Sequence, residues 1–162
     1  MHLLFILQVL VLLALANGMP VIAKDIVGDR FAAPIDGGAK FADGRPLFGS
    51  SKTVRGILVS ILITSISAPL IGLDWKIGAL VASVAMAGDL FSSFLKRRMN
   101  VPASGKATGL DQIPESLFPL LGCSLALPLT ALDIVAGTAA FFLGELLFSR
   151  LLYRFHLRER PY

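Results

Sequence analysis

The sequence predicts an all-α integral membrane protein with five transmembrane helices and two functional cytoplasmic loops. First, 55% of the 162 residues are hydrophobic and only 16% are charged, whereas soluble domains carry about 25% charged residues. Second, the apolar residues gather in long runs, which favours a membrane protein over a soluble one with a large core. Third, the basic residues fall into a few separate clusters. We treat the chain as a single membrane domain.

Five apolar runs come close to the roughly 20 residues that a helix needs to cross the hydrocarbon core. Helices are expected because an open sheet would leave backbone groups unpaired in lipid. The predicted helices cover residues 3–23, 56–73, 77–95, 113–132 and 134–152, and the predicted cytoplasmic loops cover 24–55 and 96–112.

Each run has its own polar features. The first could be a signal peptide, since Ala14-Leu15-Ala16 resembles a cleavage site, but no Lys or Arg precedes it. The second is uncharged and the third carries only Asp89. The fourth contains Glu115 and three prolines, and the fifth contains Glu145 and Arg150. We expect Glu145 to make a structural pair with a neighbouring helix.

The basic clusters predict the orientation. Of the 15 Lys and Arg residues, six lie between Lys24 and Arg55, four between Lys96 and Lys106, and four between Arg150 and Arg160. With five spans these clusters share one face, and the positive-inside rule makes that face cytoplasmic. The N-terminus is then outside, and the basic tail Arg150–Arg160 is a headgroup anchor.

The first cytoplasmic loop is rich in glycine and ends in Lys52, Thr53 and Arg55. Glycines let backbone N–H groups approach an anion closely, and lysine and threonine add a charge and a hydroxyl. A Walker A loop is rejected, because Ser50 and Ser51 separate Gly49 from Lys52. The remaining alternatives are a phosphate contact and a solvated, positive-inside loop.

The stretch GDLFSSFLKRR, residues 88–98, combines an acid with three cations. On a helix Asp89, Ser93 and Lys96 share one face. A carboxylate inside a membrane segment costs about 2.5–3.5 kcal/mol at the centre, so it is a functional candidate. Beside a cation cluster it suits a metal bound to a phosphate substrate. The alternative is that Asp89 pairs with Lys96 or Arg97 and the cations anchor the helix.

A second carboxylate, Asp111, follows in the next loop. Both ends of that loop return to the membrane surface, so Asp111 can approach Asp89. Two carboxylates with no histidine or cysteine nearby suit a hard cation such as Mg²⁺.

The segments PIDGGAKFADGRPLFGSSKTVRG, GDLFSSFLKRR and GLDQ together resemble the CDP-archaeol synthase family over essentially the whole chain. These are membrane cytidylyltransferases, related in chemistry to phosphatidate cytidylyltransferases. The resemblance implies transfer of a cytidylyl group from CTP to a lipid phosphate, releasing pyrophosphate with the help of Mg²⁺. It also implies that Asn17-x-x-Pro20 ends the first helix.

The resemblance further implies roles for matching residues. Asp89 and Asp111 correspond to metal-binding carboxylates, Lys96 and Arg97 to triphosphate contacts, and Lys52 and Thr53 to the nucleotide loop. The residues and the resemblance together add Arg55 and Ser93 to the predicted phosphate-binding residues. The predicted catalytic residues are Asp89, Lys96 and Asp111. The sequence departs from the family pattern at Ser51 and at Ile113-Pro114-Glu115.

Two other classes of function compete with this enzyme. A small transporter or channel would use Asp89 and Glu145 along an ion path, and a scaffold would keep the fold without activity. The expected partners are CTP, a lipid phosphate of the archaeol, phosphatidate or polyprenyl type, and membrane lipids, with no nucleic acid. The sequence does not indicate an oligomeric state.

Overall fold

The computed structural model describes residues 1–103, 105 and 107–154, with side chains in the last helix up to 147 and at Ser149. Its helices are α1 (Leu3–Val27), α2 (Val54–Ser67), α3 (Trp75–Arg98), α4 (Gln112–Cys123) and α5 (Ala131–Arg154), and a 3-10 turn, Ala68–Ile71, extends α2. Within the described ranges the only β pairing is two isolated bridges, Pro34 with Thr53 and Lys40 with Pro46. The all-helical prediction is therefore confirmed.

Three helical segments in the described ranges are long and apolar enough to cross a membrane. They are α1, α2 with its 3-10 turn, and α3. These segments support the prediction of an integral membrane protein, while five spans stay a prediction.

The fourth predicted helix is much shorter than expected. It was predicted over 113–132 but ends at Cys123, and the chain then turns, with Leu127 N donating to Cys123 O. Pro128 follows directly, and the residue before a proline avoids helical backbone angles. The 12 residues of α4 extend about 18 Å at 1.5 Å per residue, too short for a core about 30 Å thick.

The first helix is longer than expected, because Pro20 does not end it. A proline inside a helix leaves the carbonyl four residues earlier without its N–H donor. Here that carbonyl belongs to Ala16, and the buried Ser60 hydroxyl of α2 donates to it at 2.8 Å. The bond compensates for the missing N–H, and α1 continues to Val27.

Two glycines of α3 allow close packing on both sides. A Cβ on Gly78 would lie 2.5 Å from the backbone oxygen of Thr64 in α2. One on Gly88 would lie 2.4 Å from the backbone oxygen of Pro114 in α4. Since Asp89 and Glu115 are the next residues in each chain segment, the second contact brings two acids together.

A buried cluster joins the ends where α1 and α5 begin. Asp133 is fully buried, and its carboxylate accepts hydrogen bonds from the backbone N–H of His2 at 3.0 Å and of Thr130 at 2.9 Å. The Thr130 hydroxyl donates at 2.8 Å, and the His2 ring nitrogen Nδ1 lies 3.0 Å away. The carboxylate thus fastens α5 to the start of α1.

Candidate active site

The loop between α1 and α2 is folded around Asp36. Its carboxylate accepts hydrogen bonds from the backbone N–H groups of Gly38, Phe48 and Gly49 at 3.0–3.1 Å. Burial alone would raise the pKa of Asp36, but these hydrogen bonds lower it below its ordinary value of 3.8. The carboxylate therefore stabilises the loop at neutral pH, and this stabilisation is lost as the pH falls from about 4 through the lowered pKa.

Arg98 fastens this loop to the end of α3. Its guanidinium pairs with Asp43 at 2.9 Å and donates to the Pro46 carbonyl at 2.5 Å. It also lies over the rings of Phe41 and Phe94, 4.9 Å from each centroid. The sequence places Arg98 in the cation cluster that follows Asp89, and in the structure it belongs to this loop contact.

A cavity of about 1040 Å³ opens between the loops and the helix ends. Residues from every helix line it, as do residues from both predicted functional loops. Six of the eight predicted site residues are among them: Lys52, Thr53, Arg55, Asp89, Lys96 and Asp111.

Asp89 is held by a lysine from the glycine-rich loop. The Lys52 ammonium donates to both carboxylate oxygens, at 2.6 and 2.5 Å. The alternative pairing of Asp89 with Lys96 or Arg97 is not what the structure shows. Lys52 and Asp89 keep 22% and 16% of their side-chain surface exposed, so the pair remains open to the cavity.

A second lysine–aspartate pair lies on another wall of the cavity. Lys96 Nζ is 2.6 Å from Asp111 Oδ1, and the backbone N–H of Ala107 donates to Asp111 Oδ2 at 2.9 Å. The loop between Lys96 and Asp111 therefore folds back on itself. It brings Asp111 to the same cavity as Asp89, as the sequence allows. Each of the two aspartates has its own lysine.

The carboxyl group that contacts Asp89 is Glu115, which the site prediction omits. Glu115 is 9% exposed, its side chain hydrogen-bonds that of Asp89, and Glu145 of α5 lies within electrostatic range. Two carboxyl groups in contact repel unless a proton or a cation lies between them. The available signal was the acid in Ile113-Pro114-Glu115. Glu145, for which a structural pairing was expected, also lines the cavity.

The acids at this cavity have the oxygen atoms that Mg²⁺ takes as ligands together with substrate phosphates. No set of three or more His, Cys, Asp or Glu side chains in the described ranges is arranged to hold a metal ion. Mg²⁺ is commonly bound by one or two carboxylates, with water and substrate phosphates completing its shell. The Asp89–Glu115 contact supplies such a pair of hard oxygen ligands.

Two predicted residues of the nucleotide loop also have structural contacts. The Thr53 hydroxyl oxygen accepts a hydrogen bond from Gly56 N at 3.1 Å and caps α2. Arg55 donates to the backbone oxygens of Gly28, at 2.8 Å, and Arg30. Their side chains line the cavity while organising its rim.

Ser93 and Arg97 do not line this cavity. Ser93 is 1% exposed, and its hydroxyl has no hydrogen-bond partner in the part of the chain that the structure describes. Arg97 lines a smaller adjacent cavity of about 530 Å³. Asn17 and Lys24 of α1 line the larger cavity and were not predicted. Lys106 and the tail beyond residue 154 lie outside the described residues, as does the Arg150 side chain.

Comparison with known proteins places the chain in one family. A family model described as CarS-like, CDP-archaeol synthase, matches residues 2–162. The CDP-archaeol synthase of Saccharolobus islandicus is 35% identical over 116 residues, 68% of each chain. That of Sulfurisphaera tokodaii is 29% identical over 157 residues, 91% of this chain and 89% of the relative.

A solved structure agrees with these sequence matches. It is an intramembrane enzyme for archaeal membrane lipid biosynthesis, with a TM-score of 0.75 and 30% identity over 86% of this chain and 89% of that one. The chain therefore belongs to the CarS-like CDP-archaeol synthase family, which confirms the predicted enzyme class, a CTP-dependent cytidylyltransferase.

Proposed function

We propose that this protein transfers the cytidylyl group of CTP to an archaeol-type lipid phosphate and releases pyrophosphate. The observation that carries the proposal is the cavity that Lys52–Asp89, Lys96–Asp111 and Glu115 line together, at one end of the apolar helices. The names of the relatives support the lipid class.

The nucleophile needs no catalytic base. A phosphomonoester has a second pKa of about 6, so a lipid phosphate is already largely dianionic near neutral pH. One of its oxygens attacks the α-phosphorus of CTP, and the bond from that phosphorus to the bridging oxygen of the β-phosphate breaks. The electron pair leaves with pyrophosphate, so atoms and charges balance without proton transfer.

The difficulty of this reaction is to bring two polyanions together, which the lysines can overcome. We assign Lys52 and Lys96 to phosphate oxygens, because both line the cavity and both are oriented by an aspartate. Charge neutralisation and fixed positioning then lower the barrier in the way that oriented cations do in phosphoryl transfer. Thr53 and Arg55 support the rim next to Lys52.

We assign Mg²⁺ to Asp89 together with Glu115, and Asp111 is the further predicted ligand on the same cavity. When bound, the ion supplies Lewis-acid stabilisation of the charge that develops on the phosphates and the leaving group. The protein holds Asp89 on α3, Glu115 on α4 and Asp111 just before α4, and the close approach of Gly88 to Pro114 brings the first two together.

We further propose that the cavity faces the cytoplasm and that the N-terminus is outside. The described basic residues of the first two clusters line the cavity or lie on or beside the loops that form it. The positive-inside rule assigns such basic segments to the cytoplasmic side. CTP would then enter from the cytoplasm.

The test is an assay of purified protein in detergent with radiolabelled CTP, Mg²⁺ and ether-linked, ester-linked or polyprenyl phosphates. The expected product is a CDP-lipid from the ether-linked phosphate. It is absent without Mg²⁺ and in Asp89→Asn, and it is retained in Asp25→Asn, an exposed acid that does not line the cavity.

Two results would contradict parts of the proposal. No product with any lipid phosphate, from folded protein that also fails to bind CTP, would overturn the reaction. Equal use of ester-linked phosphate would overturn the lipid class and leave the cytidylyl transfer.

A further inference from the structure

The larger cavity reaches beyond the two lysine–aspartate pairs into the helix bundle. Asn17 of α1 lines it, and the depth of Asn17 follows from the preceding residue, Ala16, whose carbonyl accepts a hydrogen bond from Ser60 of α2. Ser60 is seven residues beyond Thr53, the N-cap of α2, which is about 10 Å at 1.5 Å per residue. Asn17 therefore lies about two helical turns deeper in the bundle than the start of α2.

This deep part of the cavity has mostly apolar walls. Three apolar residues line it together with Asn17, one each from α1, α2 and α3: Pro20, Ile57 and Met86. Met86 lies three residues before Asp89 on α3, about 4.5 Å farther from the loops. A ligand that extends from the lysines into this space therefore places mainly hydrocarbon against the walls.

The exception among these walls is the side-chain amide of Asn17. Its Nδ2 atom is buried and has no hydrogen-bond partner in the described part of the chain. An amide nitrogen can only donate, and a buried donor without an acceptor is unfavourable, above all within a membrane segment. Its position in a cavity wall indicates a ligand with an acceptor atom at this depth.

The other amide of α1 shows the contrast. Gln8 donates from Nε2 to the Ile71 carbonyl at 2.6 Å, near the opposite end of the helix. Two further residues that line the larger cavity, Arg55 and Asp111, also have a buried polar atom without a hydrogen bond. Both are held through other atoms, Arg55 by a backbone carbonyl and Asp111 by a lysine.

We propose that Asn17 binds the glycerol backbone of the lipid phosphate, donating from Nδ2 to one of the ether oxygens behind the phosphate group. The inference rests on the proposed function, in which Lys52 and Lys96 hold the phosphates. The nucleotide reaches these lysines from the loop side, whereas the lipid reaches them from the apolar side, where Asn17 lies. A glycerol diether phosphate has ether oxygens on the two carbons behind the phosphate-bearing one, and these oxygens accept but do not donate.

The consequence is selectivity for glycerol-based lipids. A phosphate joined directly to a hydrocarbon chain, as in a polyprenyl phosphate, offers no acceptor at this depth and leaves the Asn17 amide unpaired. Sites built to hydrogen-bond a substrate atom discriminate against analogues that lack it. Ester-linked lipids also have oxygen on these carbons, so Asn17 selects for the glycerol backbone and not for the ether bond.

The experiment measures KM for a diether glycerol phosphate in mixed micelles and KM for CTP, in wild type, Asn17→Leu and the control Gln8→Leu. Leucine is close to asparagine in size and removes the donor. In Asn17→Leu we expect KM for the lipid phosphate to rise about tenfold, as for one lost hydrogen bond, and KM for CTP to stay unchanged. Gln8→Leu should leave both KM values unchanged.

Thermal unfolding without substrates separates binding from structure. Since Nδ2 of Asn17 has no partner in the described part of the chain, Asn17→Leu should not lower the thermal midpoint. Gln8→Leu removes the bond to Ile71 and should lower it. An unchanged KM for the lipid phosphate in Asn17→Leu would overturn the inference. Equal rises in both KM values would also overturn it, because the amide would then act on the nucleotide or on the cavity as a whole.

A second measurement needs wild type alone. An analogue in which methylene groups replace both ether oxygens should have a KM about tenfold higher than the diether phosphate. Equal KM values for the two lipids would overturn the Asn17 contact and leave the cytidylyl transfer. A wild type that makes no CDP-lipid from any lipid phosphate would overturn the proposed function and this inference with it.

Discussion

The two ends of the helix bundle each contain an aspartate with several polar partners, but the partners differ in kind. Asp133 is fully buried, and its hydrogen-bond donors come from Thr130, three residues earlier in the chain, and from the start of α1. Asp89 is 16% exposed and is held by one lysine on a long side chain, with the carboxyl group of Glu115 hydrogen-bonded to it.

This difference separates a structural acid from a functional one. Fixed local donors leave Asp133 nothing further to bind, and it joins two helices. A lysine can move to a substrate phosphate, and a second carboxyl group next to the first favours binding of a cation. The comparison predicts that substitutions at one end change turnover and that substitutions at the other change stability.

The largest effect is expected for Asp89→Asn. The amide keeps the shape of the side chain but loses the charge that orients Lys52 and binds the cation. We expect turnover to fall at least about 100-fold, as when a group that stabilises transition-state charge is removed. Radiolabelled product formation measures it, and thermal unfolding in detergent checks that the variant is folded. Retention of more than a tenth of the activity would make Asp89 a structural acid like Asp133.

Glu115→Gln should have the next largest effect. Because Glu115 contacts Asp89, loss of its charge should weaken Mg²⁺ binding. We expect the Mg²⁺ concentration for half-maximal turnover to rise about 10-fold or more, since loss of a residue that only supports a metal ligand already costs about 10–100-fold. A titration of initial rate against Mg²⁺ measures this shift. An unchanged titration curve would exclude Glu115 from the metal site.

Asp133→Asn should act on stability alone. The amide cannot accept all the hydrogen bonds that the carboxylate accepts, so buried donors at His2 or Thr130 lose their partner. The cost is about 1–3 kcal/mol, visible as a lower thermal midpoint. The kcat of the folded fraction should match wild type, and a matching fall in kcat would show that both ends contribute to turnover.

The smallest effect is expected at the helix contact that lets α1 pass Pro20. Ser60→Ala removes the donor to the Ala16 carbonyl and should cost about 1 kcal/mol. Adding Pro20→Ala restores an N–H that can reach the same carbonyl, so the double variant should recover stability. Thermal midpoints of the two variants measure this, and a double variant weaker than Ser60→Ala would contradict the account.

The sequence predicts most of this fold because its signals are local. The apolar runs predict the ends of α1, α2 and α3 to within a few residues of the observed ends. Tertiary contacts explain where the predicted and observed ends differ. The Ser60–Ala16 bond, between residues 44 apart, could not be read from the pattern around Pro20. The early end of α4 has a local signal at Pro128, but apolar residues on both sides of it favoured one long helix.

For the site, the sequence predicts which residues gather but not how they pair. Four residues that stand in the quoted motifs all line one cavity: Lys52, Asp89, Lys96 and Asp111. The partner of Asp89 depends on the close packing of Gly88 against Pro114, which brings in Glu115 from another helix. Ser93 and Arg97 lie outside this cavity, because residues near the end of α3 face the core and the smaller cavity as well as the larger one.

The most direct test of the central claim is a charge exchange, Lys52→Asp with Asp89→Lys, compared with each single variant for turnover and thermal midpoint. The exchange keeps an ion pair of opposite orientation. The account predicts that the thermal midpoint recovers toward wild type in the double variant while CDP-lipid formation stays absent, because the carboxylate and the ammonium have exchanged places relative to the metal and the phosphates. Recovery of turnover together with the thermal midpoint would contradict it and show that the pair is structural.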